Sequence, residues 1–425
     1  MSESPRPMPA PRVRQAVILV GGKGTRLGDL TRATPKPLMP IEEDRVFLDL
    51  LLDNLVRQGF DRILLLAGYL GDQIQARFDG RNIRDATVTV AIESEPQGTA
   101  GALRWSRDRL EECFLLLNGD TYFDMGYRAL EKALNDAPDA LAAVALREVR
   151  NAERYGSVDL EDRRITRFRE KVDSETPIPG LINGGVYLMR RDVIDRLPDG
   201  PSSLEADLFP SLAARGLLLG VPRRGYFIDI GLPDTLSQAR AELPAIQRRP
   251  ALFLDRDGVV NIDHGYVHKW SELDLAPGLA ETIAAFNDAG WFVFVVTNQA
   301  GVAHGYYQES DVQLLHEQIL DWLASRGAHI DDFYYCPYHP KAAIEAYRAN
   351  HPDRKPREGM LLRAFAEWPI VRERSLLIGD RWTDLAAANA AGINGHLFGG
   401  GHLDAFIVAQ GLWPERLQEA VLQQV

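Results

Sequence analysis

Short apolar runs punctuate nearly the whole chain, most closing on glycine, asparagine or aspartate and followed by a stretch of helical spacing. AVILV (16–20), ILLLA (63–67), VTVAI (88–92), CFLLLNGD (113–120) and LAAVAL (141–146) form one series. ALFLD (251–255), WFVFVVTN (291–298) and SLLIGD (375–380) form a second. A run apolar at every position, rather than at alternate ones, marks a strand buried on both faces, as in a parallel sheet covered by helices. Between the strands, Phe47, Leu51, Leu52 and Leu55 recur at helical spacing before a stop at Gly59. Further helices are predicted at 278–289, at 310–326 and from about 382. The expected fold class is α/β, with two doubly wound, Rossmann-like domains.

The polar, Pro-containing stretch AELPAIQRR (241–249) separates the two series, and 425 residues suit two domains of ordinary size. They are expected at 14–243 and 244–425, behind a Pro- and Arg-rich leader over 1–13 that reads as disordered. From 156 to 190 the pattern becomes shorter and strand-rich, suiting an accessory region over the carboxyl edge of the first sheet. A net charge of −12 argues against a nucleic-acid-binding surface. No run is long enough to span a bilayer. Cys113 and Cys336, the only cysteines, are too few for a disulfide framework. A cytoplasmic protein acting on small molecules is expected, with no membrane partner and with homo-oligomerisation left open.

The first series opens on GGKGTRLGDLTRATPKP (21–37). Gly21, Gly22 and Gly24 after a strand let backbone N–H groups approach phosphate oxygens, and Arg26 and Lys36 add positive charge. Leu27 stands where a dinucleotide fingerprint needs its third glycine, and no GK[ST] follows, so neither of those loops is present. The segment resembles the signature of the sugar-1-phosphate nucleotidyltransferases, a family of GT-A-like fold. The likeness continues in order along 16–240, within which Gln97, Gly98 and Thr99 resemble the nucleobase loop. Asn118-Gly119-Asp120 and Asp229 match metal-binding carboxylates. Tyr155, Gly156, Glu170, Lys171, Asn183, Gly184 and Gly185 resemble sugar and phosphate contacts. The resemblance implies Mg²⁺ held by Asp120 and Asp229, pyrophosphate held by Arg26, the transferred phosphate by Lys36 and the sugar phosphate by Lys171.

In the second series, Asp255 and Asp257 stand two apart at the end of an apolar strand, where carboxylates without a task would repel each other. FLDRDGVV (253–260) and GDRWTD (379–384) resemble motifs of the haloacid-dehalogenase-like (HAD) phosphatases. That likeness implies Asp255 as nucleophile and Asp257 as acid and base. It also implies Thr297 and Asn298 as phosphoryl contacts, Lys355 as charge balance and Arg354 as a substrate-orienting group. Mg²⁺ would be held by Asp255, Asp380 and the backbone carbonyl of Asp257, with Asp384 supporting it from behind. No separate cap domain is expected. FLDRDGVVN, DHGYVH, VVTNQAGVAHG, YYCPYHP and RKP resemble the D-glycero-D-manno-heptose 1,7-bisphosphate 7-phosphatases, and histidinol-phosphate phosphatases share several of them. These enzymes carry a zinc loop CxH…CxC before RKP, where this chain has Cys336, Tyr338, His351 and Asp353. The departure disfavours a tetrahedral zinc site, although His339 with Cys336, His351 and Asp353 would offer an altered one. His264, His268 and His304 are assigned no catalytic role.

Together the two resemblances imply a bifunctional enzyme of sugar-nucleotide synthesis. It would remove the 7-phosphate of a heptose 1,7-bisphosphate, then join the heptose 1-phosphate to a nucleotide, with GTP favoured and pyrophosphate released. Two alternatives stay open at this level. One is a mannose- or glucose-1-phosphate nucleotidyltransferase fused to a phosphatase of unrelated substrate. The other is a nucleotide-sugar sensor with one inactive half.

Overall fold

The computed structural model describes residues 7–149, 152, 157–168 and 179–414. The chain divides into Val13–Ala245 and a second unit that begins at Ile246 and includes the described residues before Val13.

The strands of the first unit are β1 Gln15–Leu19, β2 Arg62–Ala67, β3 Asn82–Ile83, β4 Ala86–Ile92, β5 Cys113–Asn118 and β6 Thr121–Phe123. They continue with β7 Ala142–Val149, β8 Val158–Glu161, β9 Arg164–Phe168, β10 Gly180–Arg190, β11 Leu218–Arg223 and β12 Phe227–Asp229. Ten form one sheet in the order β3-β4-β2-β1-β5-β10-β7-β11-β9-β8, and β12 and β6 make a small antiparallel ribbon. From β4 to β5 the neighbours are parallel. The expectation of a mainly parallel sheet fails beyond β5, because β10 runs antiparallel to both β5 and β7. Burial explains the miss. Val186–Met189 are as buried as any parallel strand, and burial on both faces records depth rather than direction.

The second unit contains β13 Ala251–Leu254, β14 Phe292–Asn298, β15 Asp332–Cys336, β16 Leu376–Gly379 and β17 Asn394–Leu397. All five are parallel, in the order β15-β14-β13-β16-β17. Alternate residues of β13 enter separate cores. Leu252 and Leu254 pack with Leu279, Ile283, Leu315 and Ile319 of helices Leu279–Asp288 and Glu309–Ala324. Ala251 and Phe253 pack with Met360, Leu361, Ala387 and Ala388 of helices Gly359–Glu367 and Trp382–Ala390. Helices therefore cover both faces, and the sheet offers its carboxyl edge for chemistry.

The expectation of a disordered leader is corrected over its described part. Arg12 is 8% exposed and ion-paired to Asp321 at 2.7 Å and to Glu317 at 3.0 Å, and Trp270 Nε1 donates to the Pro7 carbonyl. A buried guanidinium with two carboxylate partners anchors the segment that a composition reading alone releases. Among the described residues, no helix is long and apolar enough to cross a membrane.

Two candidate active sites

In the first unit, β1 ends in the glycine turn and Gly24 adopts φ +62°, a left-handed conformation that favours glycine. A Cβ there would press within 2.9 Å of Thr31, whose hydroxyl donates to the Gly24 carbonyl and closes the loop. Pro35 and Pro37 flank Lys36, which is 7% exposed and bonds Asp120 Oδ2 at 2.7 Å. Asp120 follows β5, and its carbonyl accepts from Ile230 N–H. That bond sets it beside Asp229 at the end of β12. Burial first, then the Asp120 charge, pushes the Asp229 carboxyl above the usual range, while Lys36, the Gly231 N–H and Arg26 pull it back. Arg26, Lys36, Asp120 and Asp229 thus converge as the sequence implied. Two neighbouring carboxylates, of which only Asp120 is in contact with the Lys36 ammonium, suit a divalent cation.

A cavity of about 630 Å³ opens beside them, lined by Gly21, Gly22, Gly24, Lys36, Gly98, Thr99 and Asp120, with Glu93 and Asn118 added. Gln97 is not on this wall; its amide bonds the Glu95 carbonyl. Thr99 Oγ1 accepts from Leu204 N–H and fixes the loop. Asn183 donates to the Tyr187 hydroxyl and accepts the Gly185 N–H, within an irregular stretch of β10. A Cβ on Gly184 would come within 2.6 Å of Phe123. Tyr155, Gly156, Glu170 and Lys171 lie outside the described residues.

In the second unit, Asp255 follows β13 and is 8% exposed. Its Oδ1 accepts from Lys355 Nζ at 2.8 Å and from Arg256 N–H at 2.7 Å, so both donors fall on the same oxygen. Lys355 Nζ also contacts Asp384 Oδ1 at 2.6 Å and donates to the Val296 carbonyl. Burial pushes Asp255 up to about 7 against the pull of Lys355, with Asp384 and Asp257 adding to the rise. Burial alone would lower the Lys355 ammonium, but Asp255 and Asp384 outweigh it and hold it above its ordinary value.

Asp255, Asp380 and Asp384 bring carboxylate oxygens within 4.8 Å of one another, and Asp380 Oδ1 is buried without a hydrogen-bond partner. An orphaned carboxylate oxygen among like charges fits a bound divalent cation. The side chain of Asp257, in contrast, stands outside this group. Arg256 grips it through two nitrogens, and Asn261 and Gln299 donate to it. Asp384, expected behind the site, supplies the third carboxylate and is fully buried. Asn298 is diverted as well: its amide exchanges hydrogen bonds with the Lys355 backbone, which positions the lysine. Thr297 is held by Gln299, which in turn accepts from the Tyr307 hydroxyl. Arg354 bonds the Tyr338 carbonyl, and burial pulls its guanidinium below the ordinary value. In the loop where zinc ligands were weighed, His351 stacks on Tyr338 at 4.3 Å and Asp353 is ion-paired with Arg363 at 3.0 Å.

Sequence reasoning missed Glu93 in the first site and Arg256 and Gln299 in the second. Arg256, between the paired aspartates, and Gln299, after Thr297-Asn298, carried a signal by position. Glu93 becomes visible only when strands are placed side by side.

Residues 15–245 match the Nucleotidyl transferase family, more than half of the chain. The chain belongs to that family. Its second unit matches the HAD-hydrolase-like family over 353–416. The transferase unit is 35% identical over 233 residues to D-glycero-alpha-D-manno-heptose 1-phosphate guanylyltransferase of Aneurinibacillus thermoaerophilus, covering 54% of this chain and 98% of the relative. Over 160 other residues, 38% of its length, the chain is 47% identical to D-glycero-beta-D-manno-heptose-1,7-bisphosphate 7-phosphatase of Rhodopseudomonas palustris, covering 89% of that relative. A crystal structure of HddC from Yersinia pseudotuberculosis aligns over 54% of this chain and all of its own, at 32% identity and a TM-score of 0.48. The chain thus unites a nucleotidyl transferase with a HAD-like phosphatase.

Proposed function

We propose that the chain carries out consecutive steps of heptose-nucleotide synthesis: hydrolysis of the 7-phosphate of D-glycero-D-manno-heptose 1,7-bisphosphate, then guanylyl transfer from GTP to the heptose 1-phosphate. The observation that carries this reading is the pairing itself. One chain spans 98% of a heptose 1-phosphate guanylyltransferase and 89% of a heptose bisphosphate phosphatase, with an acidic site intact in each half.

In the phosphatase unit, Asp255 Oδ1 is held by two donors and leaves Oδ2 to attack the 7-phosphorus. Asp257, steadied by Arg256 and Gln299, protonates the leaving ester oxygen, which departs as the sugar hydroxyl, and then takes a proton from the water that hydrolyses the aspartyl-phosphate. Lys355 offsets charge against Asp255 and Asp384. Asp255, Asp380, Asp384 and the Asp257 carbonyl would hold Mg²⁺, which when bound screens the repulsion between carboxylate and phosphate. Neither 255–292 nor 298–380 contains a domain of its own, which supports a capless, Rossmann-like HAD unit.

In the transferase unit, Asp120 and Asp229 would hold the corresponding Mg²⁺. A sugar-phosphate oxygen attacks the α-phosphorus in line, and pyrophosphate departs toward the glycine turn and Arg26. Lys36, buried and already pointed at Asp120, meets charge developing on the transferred phosphate. Gly98, Thr99, Asn183, Gly184, Gly156, Glu170 and Lys171 would position base and sugar. Dependence on GTP supports a cytoplasmic site of action, and assembly into a homo-oligomer is compatible with this reading.

The names of the two relatives differ at one atom: the phosphatase acts on a beta bisphosphate and the guanylyltransferase on an alpha 1-phosphate. Successive action on one molecule requires both units to accept the same anomer, so the phosphatase unit should take the α-bisphosphate. Incubation of each anomer with GTP and Mg²⁺, followed by mass analysis, tests this. GDP-heptose from the α-bisphosphate is expected; release of 7-phosphate from the β anomer alone would rule out consecutive action.

A further inference from the structure

Pro7, Pro9 and Pro11 alternate with other residues at the start of the described chain. Proline fixes φ and biases the residue before it toward extended backbone, so Pro7–Arg12 is a stiff run that loses little freedom when it docks. The segment belongs to the second unit, although all of Val13–Ala245 separates it in sequence from Ile246. Glu317 and Asp321, four apart on helix Glu309–Ala324, would repel each other alone, and the Arg12 guanidinium pairs with both. The Arg12 backbone N–H also donates to Asp321 Oδ1, at 3.3 Å. At the other end, the Pro7 carbonyl accepts from Trp270 Nε1 at 3.0 Å, and the Trp270 ring is buried in the core with Leu279 and Leu315.

Trp270 closes the loop over 263–270, which is tied to the phosphatase site through Asp263, Val267 and His268. Asp263 pairs with Arg381 at 2.6 Å, next to Asp380. The Val267 carbonyl accepts at 2.7 Å from the same Arg256 nitrogen that grips Asp257. His268 stacks on Tyr307 at 4.8 Å, and the Tyr307 hydroxyl holds the Gln299 amide that donates to Asp257. Val267 and His268 are thus both linked to the Asp257 carboxylate. Between Asp263 and Val267, Tyr266 has φ +55°, left-handed backbone that a bulky residue adopts only where its surroundings hold it. A strained loop needs fixed ends, and Trp270 is the end that the N-terminal segment reaches.

We propose that Pro7–Arg12 is a positioning strap for the phosphatase site: through Trp270 and the 263–270 loop it sets the orientation in which Asp257 meets the leaving oxygen. This rests on the second unit being a phosphatase with Asp257 as its acid, and it adds to that site a segment from the opposite end of the chain. Arg12 touches no reacting atom. It fixes the strap on helix Glu309–Ala324, and the strap fixes the loop.

Two esters of nearly the same shape separate positioning from folding. Phenyl phosphate releases a basic phenoxide that needs a proton from Asp257, whereas p-nitrophenyl phosphate releases an anion that is stable without one. The full chain with Mg²⁺ is assayed for kcat/KM on each ester, unsubstituted and as Arg12→Met, Arg12→Lys and Trp270→Phe. The last keeps a buried ring and removes the donor to Pro7. Arg12→Met and Trp270→Phe should each lose about tenfold on phenyl phosphate but less than about twofold on p-nitrophenyl phosphate, and Arg12→Lys should recover most of the loss. Equal losses on both esters would mean that the strap serves stability alone, and no loss that it serves neither; either result overturns the proposal. Asp257→Asn supplies the reference. If it loses both esters equally, the acid assignment fails and the proposal falls with it. If it loses phenyl phosphate selectively while the strap variants do not, the strap alone is refuted.

Discussion

Lys355 is the single ammonium wedged between Asp255 and Asp384, with the orphaned Asp380 oxygen beside them. Burial, with the Asp384 and Asp257 charges adding to it against the pull of Lys355, raises Asp255 from its ordinary 3.8 to about 7. A carboxyl whose pKa is higher folded than unfolded binds its proton more tightly when folded. The stability it contributes is complete below about pH 4 and is lost as pH rises through about 7. A divalent cation should offset that loss where the carboxylates are ionised. Mg²⁺ is therefore expected to raise the thermal midpoint of the phosphatase unfolding step far more at pH 8 than at pH 5. Melting curves in EDTA and in Mg²⁺ at both values check it, and equal shifts would contradict the metal assignment. At this scale the sequence was informative where a residue type has few alternative uses, as with paired aspartates ending a strand. It misled where a polar group could turn either way: Asn298 bonds the Lys355 backbone, and Gln97 bonds the Glu95 carbonyl.

Among the elements, the turn between β4 and helix Gly98–Trp105 is the most tightly specified. Gly98 has φ +74°, and a Cβ there would sit 2.4 Å from the Ser202 carbonyl oxygen, backbone that no rotamer change can move. Left-handed geometry alone costs an L-residue about 1–2 kcal/mol, and the clash adds to it. Gly98→Ala should shift this turn and cut guanylyl transfer by at least tenfold while phosphate release is unaffected, as read by parallel pyrophosphate and phosphate assays. Loss of both activities would mean that the turn serves general stability. Strand positions were legible because each apolar run is both buried and short; β5, expected within 113–120, is Cys113–Asn118. The antiparallel course of β10 was not, since the pattern of Gly180–Arg190 fits either direction and its irregular stretch between Asn183 and Tyr187 depends on β7. Arg12 was lost in a leader whose composition says nothing of the two carboxylates waiting on helix Glu309–Ala324.

For the whole molecule, the question is whether one chain performs two reactions with two independent sets of acids. The sets share no residue: Asp120 follows β5 and Asp229 ends β12, whereas Asp255, Asp380 and Asp384 belong to the β13–β16 edge. Asp120→Asn should abolish pyrophosphate release, since Lys36 would lose its charge partner and one of two metal carboxylates would become neutral. Phosphate release from the bisphosphate should then continue within a factor of about two, because additivity holds for sites without shared partners. Asp255→Asn should do the reverse: an amide cannot form the acyl-phosphate, so hydrolysis stops, but heptose 1-phosphate supplied directly should still be converted. The mixture of the two variants is the decisive case. Each lacks one step and keeps the other, so bisphosphate and GTP given to both together should yield GDP-heptose, through heptose 1-phosphate released into solution. If the mixture fails while each variant retains its own half-reaction, the intermediate does not pass freely between molecules, and the two steps are coupled within one chain.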